Sequence, residues 1–463
     1  MHLFLLHSDL MNKNKDKKKR ITVGFISLGC PKNTVDSERI LAEIVEHGYI
    51  ISADPDRSDV VIINTCGFIL PAREESRHFL EHAVSLKSKG SVRRIILTGC
   101  WAQQASRGLL DEYPDIDAVI GLGYREQIPK VIQQLMEPGC RPILLHRPSS
   151  DANRVGHDSD RLLIGPNHRA YLRITEGCDH GCTFCTIPSI RGPLRSKPMD
   201  QVLFEANQLA SAGVSELNII GQDTASYGRD LGHSESLCSL LSQLDTIESL
   251  QWIRLLYVYP VGITPSLIET LASAERIVPY LDMPIQHASD TILKAMARPD
   301  RQEGLYQCIE RLRQTIPEIV LRTTVIVGFP GETDTAFEEL LTFIKTARFE
   351  ALGCFPFFPE PGTAAAGFAD QIPEPIKQER LDTLMRTQQE IAFAINRRRM
   401  GSILTCLVED EDPDHGVYGR FYGQAPEIDG ICLFERGERL RPGQFVDARV
   451  TDTQDYDLIV KPV

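Results

Sequence analysis

The sequence lacks any run of apolar residues long enough to cross a bilayer, so we expect neither a membrane-spanning helix nor a membrane partner. It also lacks a recognisable secretory signal. The apolar start, Met1 to His7, is short, and the basic run Lys13 to Arg20 follows it, which reverses the order found in signal peptides. These absences favour a cytoplasmic protein, with Met1 and Met11 both candidate start residues.

Positive charge is also in short supply. The 463 residues include 50 Lys and Arg against 63 Asp and Glu, a formal net charge of -13. Proteins that hold nucleic acid usually present a basic face that neutralises phosphates, so we do not expect RNA binding to dominate. A hydrophobic fraction of 42% and a charged fraction of 24% are ordinary for globular proteins, and the length indicates about three domains.

Cysteine, by contrast, is plentiful. Twelve cysteines in a chain without a secretory signal argue against a disulfide framework and for metal binding or catalysis by some of them. Six stand apart in the sequence, and we interpret them as buried free cysteines. They are Cys140, Cys238, Cys308, Cys354, Cys406 and Cys432.

Three cysteines form a C-x-x-x-C-x-x-C run directly after a predicted strand: Cys178, Cys182 and Cys185. A 4Fe-4S cube normally takes four thiolates, so three would leave one iron open to a ligand that reacts. A structural zinc site is the alternative, with His180 as the fourth ligand. Such zinc sites usually pair two ligand halves further apart in sequence, which favours an iron-sulfur reaction centre.

Three further cysteines follow apolar runs that are typical of buried parallel strands. They are Cys30, Cys66 and Cys100, after the runs 21–28, 60–64 and 94–98. Ligands of open parallel sheets bind beyond the carboxyl ends of the strands, so these thiols are expected to converge on a second cluster. The alternative is that each is a small residue in a tight turn.

We expect an α/β protein. Alternating apolar runs and helical stretches predict a parallel α/β domain and then a partial (β/α)6 barrel. The run that contains Cys178, Cys182 and Cys185 is expected at the carboxyl-end mouth of this barrel. Short strands with turns predict a small C-terminal β-barrel. The predicted segments are a disordered extension 1–20, the first domain 21–147, a linker 148–167, the partial barrel 168–399 and the C-terminal barrel 400–463. The six predicted strands of the partial barrel are 169–175, 216–220, 251–257, 280–283, 321–327 and 351–355, and the C-terminal ones are 403–409, 417–421, 431–434 and 445–451.

The spacing of Cys178, Cys182 and Cys185 resembles that of the radical S-adenosylmethionine (SAM) superfamily. With both cysteine triplets, the chain from Ile21 to Val463 resembles the radical-SAM methylthiotransferases. One branch of that family modifies adenosine in tRNA, and the RimO type modifies an aspartate of the twelfth small-subunit ribosomal protein. The segments that look like the RimO type are Leu28–Glu38, Glu176–His180, Ile187–Ser196 and Tyr418–Asp429. The tRNA enzymes usually carry a Gly-Cys-Gln-Met-Asn-like sequence where this chain has Gly29-Cys-Pro-Lys-Asn33.

The resemblance implies a cluster domain, a radical-SAM barrel, a C-terminal TRAM barrel, two 4Fe-4S clusters and two SAM molecules. The first cluster would be held by Cys30, Cys66 and Cys100, and the second, where SAM binds, by Cys178, Cys182 and Cys185. One SAM would supply a methyl group, and the other a radical that removes hydrogen from the β carbon of the aspartate. An electron donor and a sulfur source are implied as partners, a monomer is the default expectation, and no catalytic residue beyond the cluster ligands is predicted.

Five residues after strands of the predicted barrel are candidates for SAM contacts. Gln222, Asp223 and Gln286 would hydrogen-bond amino or ribose groups. Gly328 and Gly331 would let the backbone approach the ligand closely, although a simple turn also explains them.

The C-terminal domain carries its own charge signal. Residues 401–463 contain 13 acidic against 6 basic residues, a net charge of -7. Such a module would repel RNA and attract a basic ribosomal protein, although a run such as Glu409 to Asp412 is also consistent with plain solvated surface. A tRNA adenosine methylthiotransferase and, more distantly, a non-catalytic zinc or RNA-binding scaffold are the other functional hypotheses.

Overall fold

A computed structural model describes residues 20–463 except 150–154, 233–235, 415 and 436–438. The predicted disordered extension, apart from Arg20, lies outside the described residues, as does part of the predicted linker. Within the described ranges, no helix is both long and apolar enough to cross a membrane.

The first sheet contains six parallel strands with helices on both faces. Its strands are β1 (Thr22–Ser27), β2 (Ile50–Ile51), β3 (Val60–Thr65), β4 (Arg94–Thr98), β5 (Ala118–Ile120) and β6 (Ile143–Leu145), and its helices are α1 (Pro31–Glu46), α2 (Leu70–Ser88), α3 (Gly99–Ala105), α4 (Arg107–Glu112) and α5 (Ile128–Leu135). The strand order is β2-β1-β3-β4-β5-β6. Val60 and Ile62 pack with α1 and α5, whereas Val61 and Ile63 pack with α2, which explains the uninterrupted apolar sequence of β3.

The second sheet is an open, all-parallel partial barrel of six strands, as predicted. The strands and helices of this region are β7 (Arg169–Arg173), β8 (Thr175–Glu176), α6 (Ile187–Arg191), β9 (Arg195–Ser196), α7 (Met199–Ser211), β10 (Glu216–Ile220), α8 (Leu237–Leu244), β11 (Trp252–Leu255), α9 (Pro265–Ser273), β12 (Ile277–Asp282), α10 (Asp290–Ala295), α11 (Gln302–Thr315), β13 (Val320–Val327), α12 (Asp334–Ala347), β14 (Ala351–Pro356) and α13 (Glu374–Arg398). The order is β14-β13-β12-β11-β10-β7. Strands β8 and β9, which the sequence pattern did not reveal, form a separate antiparallel pair.

The C-terminal region forms a closed barrel of five strands. They are β15 (Ile403–Asp412), β16 (Gly416–Phe421), β17 (Cys432–Phe434), β18 (Phe445–Gln454) and β19 (Asp457–Pro462). The order β15-β16-β17-β19-β18 closes on itself because β15 pairs with β18. The predicted strands are confirmed, and β19 is the strand that closes the barrel and that the sequence pattern missed.

Buried ion pairs attach this barrel to the second sheet. Arg420 on β16 lies between Glu216 on β10 and Glu409 on β15, and all three side chains are buried. The guanidinium Nε donates to Glu409 Oε1 at 2.8 Å, and Glu216 Oε1 also accepts from Arg254 Nη2 at 3.2 Å. Two domains therefore share one charged cluster that water does not reach.

We expect Arg420→Ala to lower the free energy of unfolding by about 3–5 kcal/mol, because it leaves two buried carboxylates short of a partner. Urea denaturation followed by circular dichroism measures the loss. Arg449→Ala is the matched control, since Arg449 is an exposed arginine on β18 of the same barrel and its removal should cost less than about 0.5 kcal/mol. Equal losses for the two variants would contradict the role assigned to Arg420.

The same cluster predicts a pH dependence. Burial by itself would raise the pKa of Glu409, but the hydrogen bond with His168 and the charges of Arg420 and Arg169 lower it from 4.5 to about 2. A carboxyl group with a depressed folded pKa stabilises fully above its unfolded pKa and loses that contribution as the pH falls towards the folded value. The stability difference between wild type and Glu409→Gln should therefore be constant down to about pH 5.5 and shrink between about pH 4.5 and 2, measured by denaturation at a series of pH values. A difference that did not change with pH would contradict the assignment.

Candidate active site

Three thiols lie at the carboxyl ends of neighbouring strands of the first sheet. Cys30 follows β1 and immediately precedes α1, Cys66 follows β3, and Cys100 lies in the first turn of α3 after β4. Glycine permits their close approach, because a side chain at Gly29, where φ is +93°, would come within 3.1 Å of Cys66 Sγ. We call these three cysteines the first triad.

Asn33 ties the segments of the first triad together. Its Nδ2 donates to the carbonyl oxygens of Leu28 and Thr65, both at 3.0 Å. Its Oδ1 accepts from Arg191 Nη2 at 2.7 Å and lies 3.6 Å from Cys100 Sγ. One buried amide therefore holds two strand ends and reaches the third thiol.

Arg191 brings positive charge to the first triad from the second sheet. Its Nη2 donates to Cys100 Sγ at 3.3 Å. Burial raises the pKa of Cys100 to about 12, and the guanidinium opposes that rise because it stabilises the thiolate. Burial also raises the pKa of Cys66. Since the thiolate is the form that binds metal, the arginine suits this triad to a metal cluster.

The second triad consists of Cys178, Cys182 and Cys185, in the loop that connects β8 to α6. The backbone N–H of Cys178 donates to Gly192 O at 3.1 Å, which closes the base of the loop. The N–H of Ile187, at the start of α6, donates to Cys185 Sγ at 3.4 Å. Burial raises the pKa of Cys178 to about 11 and that of Cys185 to about 12, so here too metal binding is the natural route to a thiolate.

A layer of aromatic and charged groups lies beside Cys182. The Tyr259 hydroxyl is 3.9 Å from Cys182 Sγ, and the Tyr259 ring stacks on His180 with centroids 3.9 Å apart. Arg298 lies over the same tyrosine, with Cζ 3.6 Å from the ring centroid. His180 Nε2 is 2.7 Å from Asp223 Oδ2, so this nitrogen is already engaged.

The two triads are joined by the segment that carries the second one. Glu176 and Arg191 stand at the two ends of this segment, and Arg191 Nη1 donates to Glu176 Oε1 at 2.7 Å. The same arginine reaches Cys100, as described above. Thr186 Oγ1 also donates to Phe68 O at 3.4 Å, which links the segment to the loop after Cys66. Hydrogen bonds from this segment to Cys100 and to the loop after Cys66 therefore tie the second triad to the first.

The donor set fits iron-sulfur clusters better than a single zinc ion. All six thiols are free of disulfides. In the part of the chain that the structure describes, no three His, Cys, Asp or Glu side chains already surround one ion position. Each cysteine of a 4Fe-4S cube binds a different iron, so three thiolates around a cube are more widely spaced than three around one ion.

Two of the five predicted SAM-contacting residues lie beside the second triad and differ in what they offer. Gln222 Oε1 is buried and has no hydrogen-bond partner among the described residues, so it is an acceptor that an amino group of a ligand would satisfy. Asp223 instead accepts from Ala225 N at 3.0 Å and from the Ser226 hydroxyl, in addition to its contact with His180. Its carboxylate is already occupied in shaping the loop.

The other three residues mainly shape the backbone. Gln286 adopts a positive φ of +69° and donates its N–H to Thr324 O at 2.9 Å. A side chain at Gly328 would overlap Lys377, and Gly331 lies in an open turn with φ of +80°. Direct contact with SAM stays a prediction for all five residues.

The interpretation of the six separate cysteines as buried is only partly right. Cys406 and Cys432 are buried in the C-terminal barrel. The other four are half-buried, because they lie where helices, turns and an edge strand meet the surface rather than in the core. These are Cys140, Cys238, Cys308 and Cys354.

Sequence reasoning missed the residues that position the triads: Asn33, Glu176, Arg191, Tyr259 and Arg298. The first three fall inside the segments that carry the family resemblance, so their polar character was an available signal. Tyr259 and Arg298 lie in separate loops of the second sheet, and no local pattern connects them to a cysteine.

Comparison with known proteins finds three family models that match separate stretches of the chain. Residues 22–121 match the family described as "Uncharacterized protein family UPF0004", residues 172–344 match the Radical SAM superfamily, and residues 400–463 match the TRAM domain. The ribosomal protein uS12 methylthiotransferase RimO of Thermoanaerobacter sp. (strain X514) is 43% identical, covering 94% of this chain and 99% of its own. The protein of the same name from Acetivibrio thermocellus is 41% identical, covering 96% and 98%. The chain belongs to the RimO family.

Solved structures agree with the fold of this RimO-family chain. The radical SAM methyltransferase TsrM from Kitasatospora setae, with tryptophan and a SAM analog bound, gives a TM-score of 0.55 at 11% identity and covers 80% of this chain and 89% of that one. The cobalamin-dependent SAM radical enzyme OxsB gives 0.51 at 12% identity, covering 81% and 56%. These identities show the fold alone. Membership of the RimO family makes the protein a radical-SAM methylthiotransferase with SAM and 4Fe-4S clusters as its cofactors.

Anaerobically reconstituted protein should contain about eight irons per chain, four for each cluster. Cys66→Ala and Cys182→Ala should each lower the content to about four, because each removes a ligand from one triad only. Iron and sulfide assays with the visible absorption spectrum provide the measurement. Cys308→Ala, a half-buried cysteine on α11, is the control and should keep the full iron content. Zinc in place of iron, or equal loss in the control, would contradict the assignment of the triads.

Proposed function

We propose that this protein methylthiolates the β carbon of an aspartate in ribosomal protein uS12, with SAM as both methyl donor and radical source. The observation that carries this proposal is the pair of cysteine triads linked through Arg191 and Glu176, in a chain 40–43% identical to RimO proteins over nearly its full length. One cysteine site would suffice for SAM cleavage alone. A second cysteine site, joined to the first by hydrogen bonds through Arg191, suits a reaction that must also deliver sulfur.

The chemistry explains why cofactors are needed. The C–H bond at the β carbon of aspartate has no useful acidity, so acid and base groups alone cannot break it. When bound, SAM and the clusters supply hydrogen abstraction and the methylthio group. In the overall change, the β-carbon C–H bond is replaced by a C–S bond, and the hydrogen leaves in 5′-deoxyadenosine.

The side chains of this protein hold and orient these groups. We assign the first cluster to Cys30, Cys66 and Cys100, and the second to Cys178, Cys182 and Cys185. Arg191 stabilises the thiolate of Cys100, while Tyr259 covers Cys182. Gln222 Oε1 is the free acceptor that suits an amino group of SAM.

Only part of the acidic charge of the C-terminal barrel is available to attract a basic protein substrate, because some of the acidic side chains are buried. Two of its acidic side chains, Glu409 and Asp429, are buried against arginines of the second sheet region. Glu427 also pairs with Arg169 but remains exposed. Among the described residues of the barrel, the exposed acidic ones are Asp410, Glu411, Asp414, Glu427, Asp447, Asp452 and Asp455. We assign attraction of the substrate to this second group.

The remaining partners belong to the same proposal. A separate electron donor and a sulfur source are required, because the chain is assigned no redox group beyond its clusters and gives up sulfur at each turnover. A cytoplasmic setting suits both the ribosomal substrate and twelve cysteines that are all free thiols. A monomer is the working assumption, since each triad is complete within one chain.

The decisive measurement is mass spectrometry after incubating the reconstituted protein with SAM, a reductant and either uS12 or unmodified tRNA. We expect a methylthio mass gain on one aspartate of uS12 and none on tRNA. Cys182→Ala should abolish formation of 5′-deoxyadenosine, and Cys66→Ala should retain it while losing the product, because the two triads serve different steps. A gain on tRNA alone would replace the proposed substrate with the adenosine alternative, and unchanged product from Cys66→Ala would overturn the role of the first triad.

A further inference from the structure

Lys32 is a buried lysine that has no role in the chemistry described above. It occupies the first turn of α1, two residues after Cys30, and its relative exposure is 6%. Its Nζ lies 3.0 Å from the centroid of the Tyr257 ring. Among the residues that the structure describes, no hydrogen bond or ion pair is formed by this ammonium, although it has three N–H groups to donate.

Nearby carboxylates are committed to other partners. Asp282 Oδ2 accepts from Tyr257 N at 3.0 Å, and its Oδ1 accepts from Arg322 Nη1 at 3.1 Å. Glu176 pairs with Arg191, as described above. The charges of Cys30, Asp282 and Glu176 offset part of the cost of burying this ammonium. Among the described residues none of the three accepts a hydrogen bond from it, which indicates that an anionic acceptor from outside the chain completes the site.

The aromatic partner of Lys32 is held in an unusual backbone conformation. Tyr257 has a φ of +61°, a left-handed value that is unfavourable for a bulky residue. Its N–H donates to Asp282, and its carbonyl accepts from Thr224 N at 2.9 Å, so both backbone groups are fixed. Strained residues that the surrounding structure holds in place concentrate at functional sites.

Each member of the Lys32–Tyr257 pair is close in sequence to one of the two triads. Lys32 is two residues from Cys30 of the first triad, and Tyr257 is two residues from Tyr259, whose hydroxyl is 3.9 Å from Cys182 Sγ in the second. A group bound by the ammonium therefore lies beside the segments that lead to both sites. The substrate carbon must reach such a position to lose hydrogen and gain sulfur.

We propose that Lys32 binds the side-chain carboxylate of the target aspartate and so selects an acidic residue for methylthiolation. The proposal rests on the proposed function. A charge-assisted hydrogen bond in a buried site supplies both affinity and discrimination, because a neutral side chain would leave the ammonium without its counter-ion.

The test compares wild type with Lys32→Met and Lys32→Arg on two substrates, uS12 and a uS12 variant in which the target aspartate is asparagine. Lys32→Met retains the length of the side chain and removes its charge. We expect it to raise KM for uS12 about 10- to 100-fold, the effect of one lost charged hydrogen bond, and to abolish the preference of the protein for the aspartate form. Lys32→Arg should restore part of that preference.

Three further readouts, a control variant and a direct binding assay separate binding of the carboxylate from damage to the fold. Reductant-dependent SAM cleavage without uS12, iron content and the thermal unfolding midpoint should match those of wild type in both variants. Lys345→Met, an exposed lysine on α12, should leave KM unchanged. Direct binding of uS12 without SAM, measured by fluorescence anisotropy, should weaken in parallel with KM.

The outcomes are distinct. An unchanged KM in Lys32→Met, or an equal rise for the aspartate and asparagine substrates, would overturn the inference while wild-type activity on uS12 kept the proposed function. Loss of iron in Lys32→Met, with the preference for aspartate intact, would also overturn it, since the lysine would then serve the first cluster. Absence of any product on uS12 with wild type would overturn the proposed function and the inference together.

Discussion

A group of buried ion pairs centred on Asp36 sets the relation between the two cysteine triads. Asp36, on α1 of the first sheet, accepts from Arg173 at 2.6 Å and from Arg191 at 3.1 Å, both in the second sheet region. Arg173 in turn binds both carboxylate oxygens of Asp158, at 2.9 and 2.6 Å. Buried pairs of this kind add little net stability, yet removing one partner is severe, so they define one arrangement and penalise the others. These pairs join α1, which follows Cys30, to α6, which follows Cys185.

The ion pairs also keep their own charges in place. Burial alone would raise the pKa of Glu176, but the charges of Arg191 and Arg173 hold it at about 2, so this carboxylate stays ionised at every physiological pH. Arg191 lies within hydrogen-bond distance of four acceptors: Nη1 donates to Glu176, and the two N–H groups of Nη2 are shared among Asn33, Asp36 and Cys100. A lysine at this position would not reach all four.

The features that could be predicted from sequence were those with a local pattern. The three-cysteine run, the cysteines after buried strands and the alternation of strands and helices each occupy a few consecutive residues, and they located both triads and the partial barrel. Pairs such as Arg191 with Cys100, or Arg420 with Glu216, join residues 91 and 204 positions apart, and only the folded chain brings them together. Asp158 is a further example of a contact that the local sequence does not reveal. It lies in a polar segment predicted as a linker, and yet it is a buried partner of Arg173. The short strands β8 and β9 escaped prediction because two residues carry no periodicity.

The closed C-terminal barrel restricts how a protein substrate can be recognised. Because β15 pairs with β18, the sheet has no free edge, and its strands offer no row of unpaired N–H and C=O groups to an incoming segment. Strand addition, a common way for one protein to hold an extended stretch of another, is therefore closed to this domain. Contact with a substrate must go through side chains and loops, whose sequence can vary without disturbing the hydrogen-bonded ring beneath them. The barrel can thus change the partner that it favours while the two cysteine sites remain as they are.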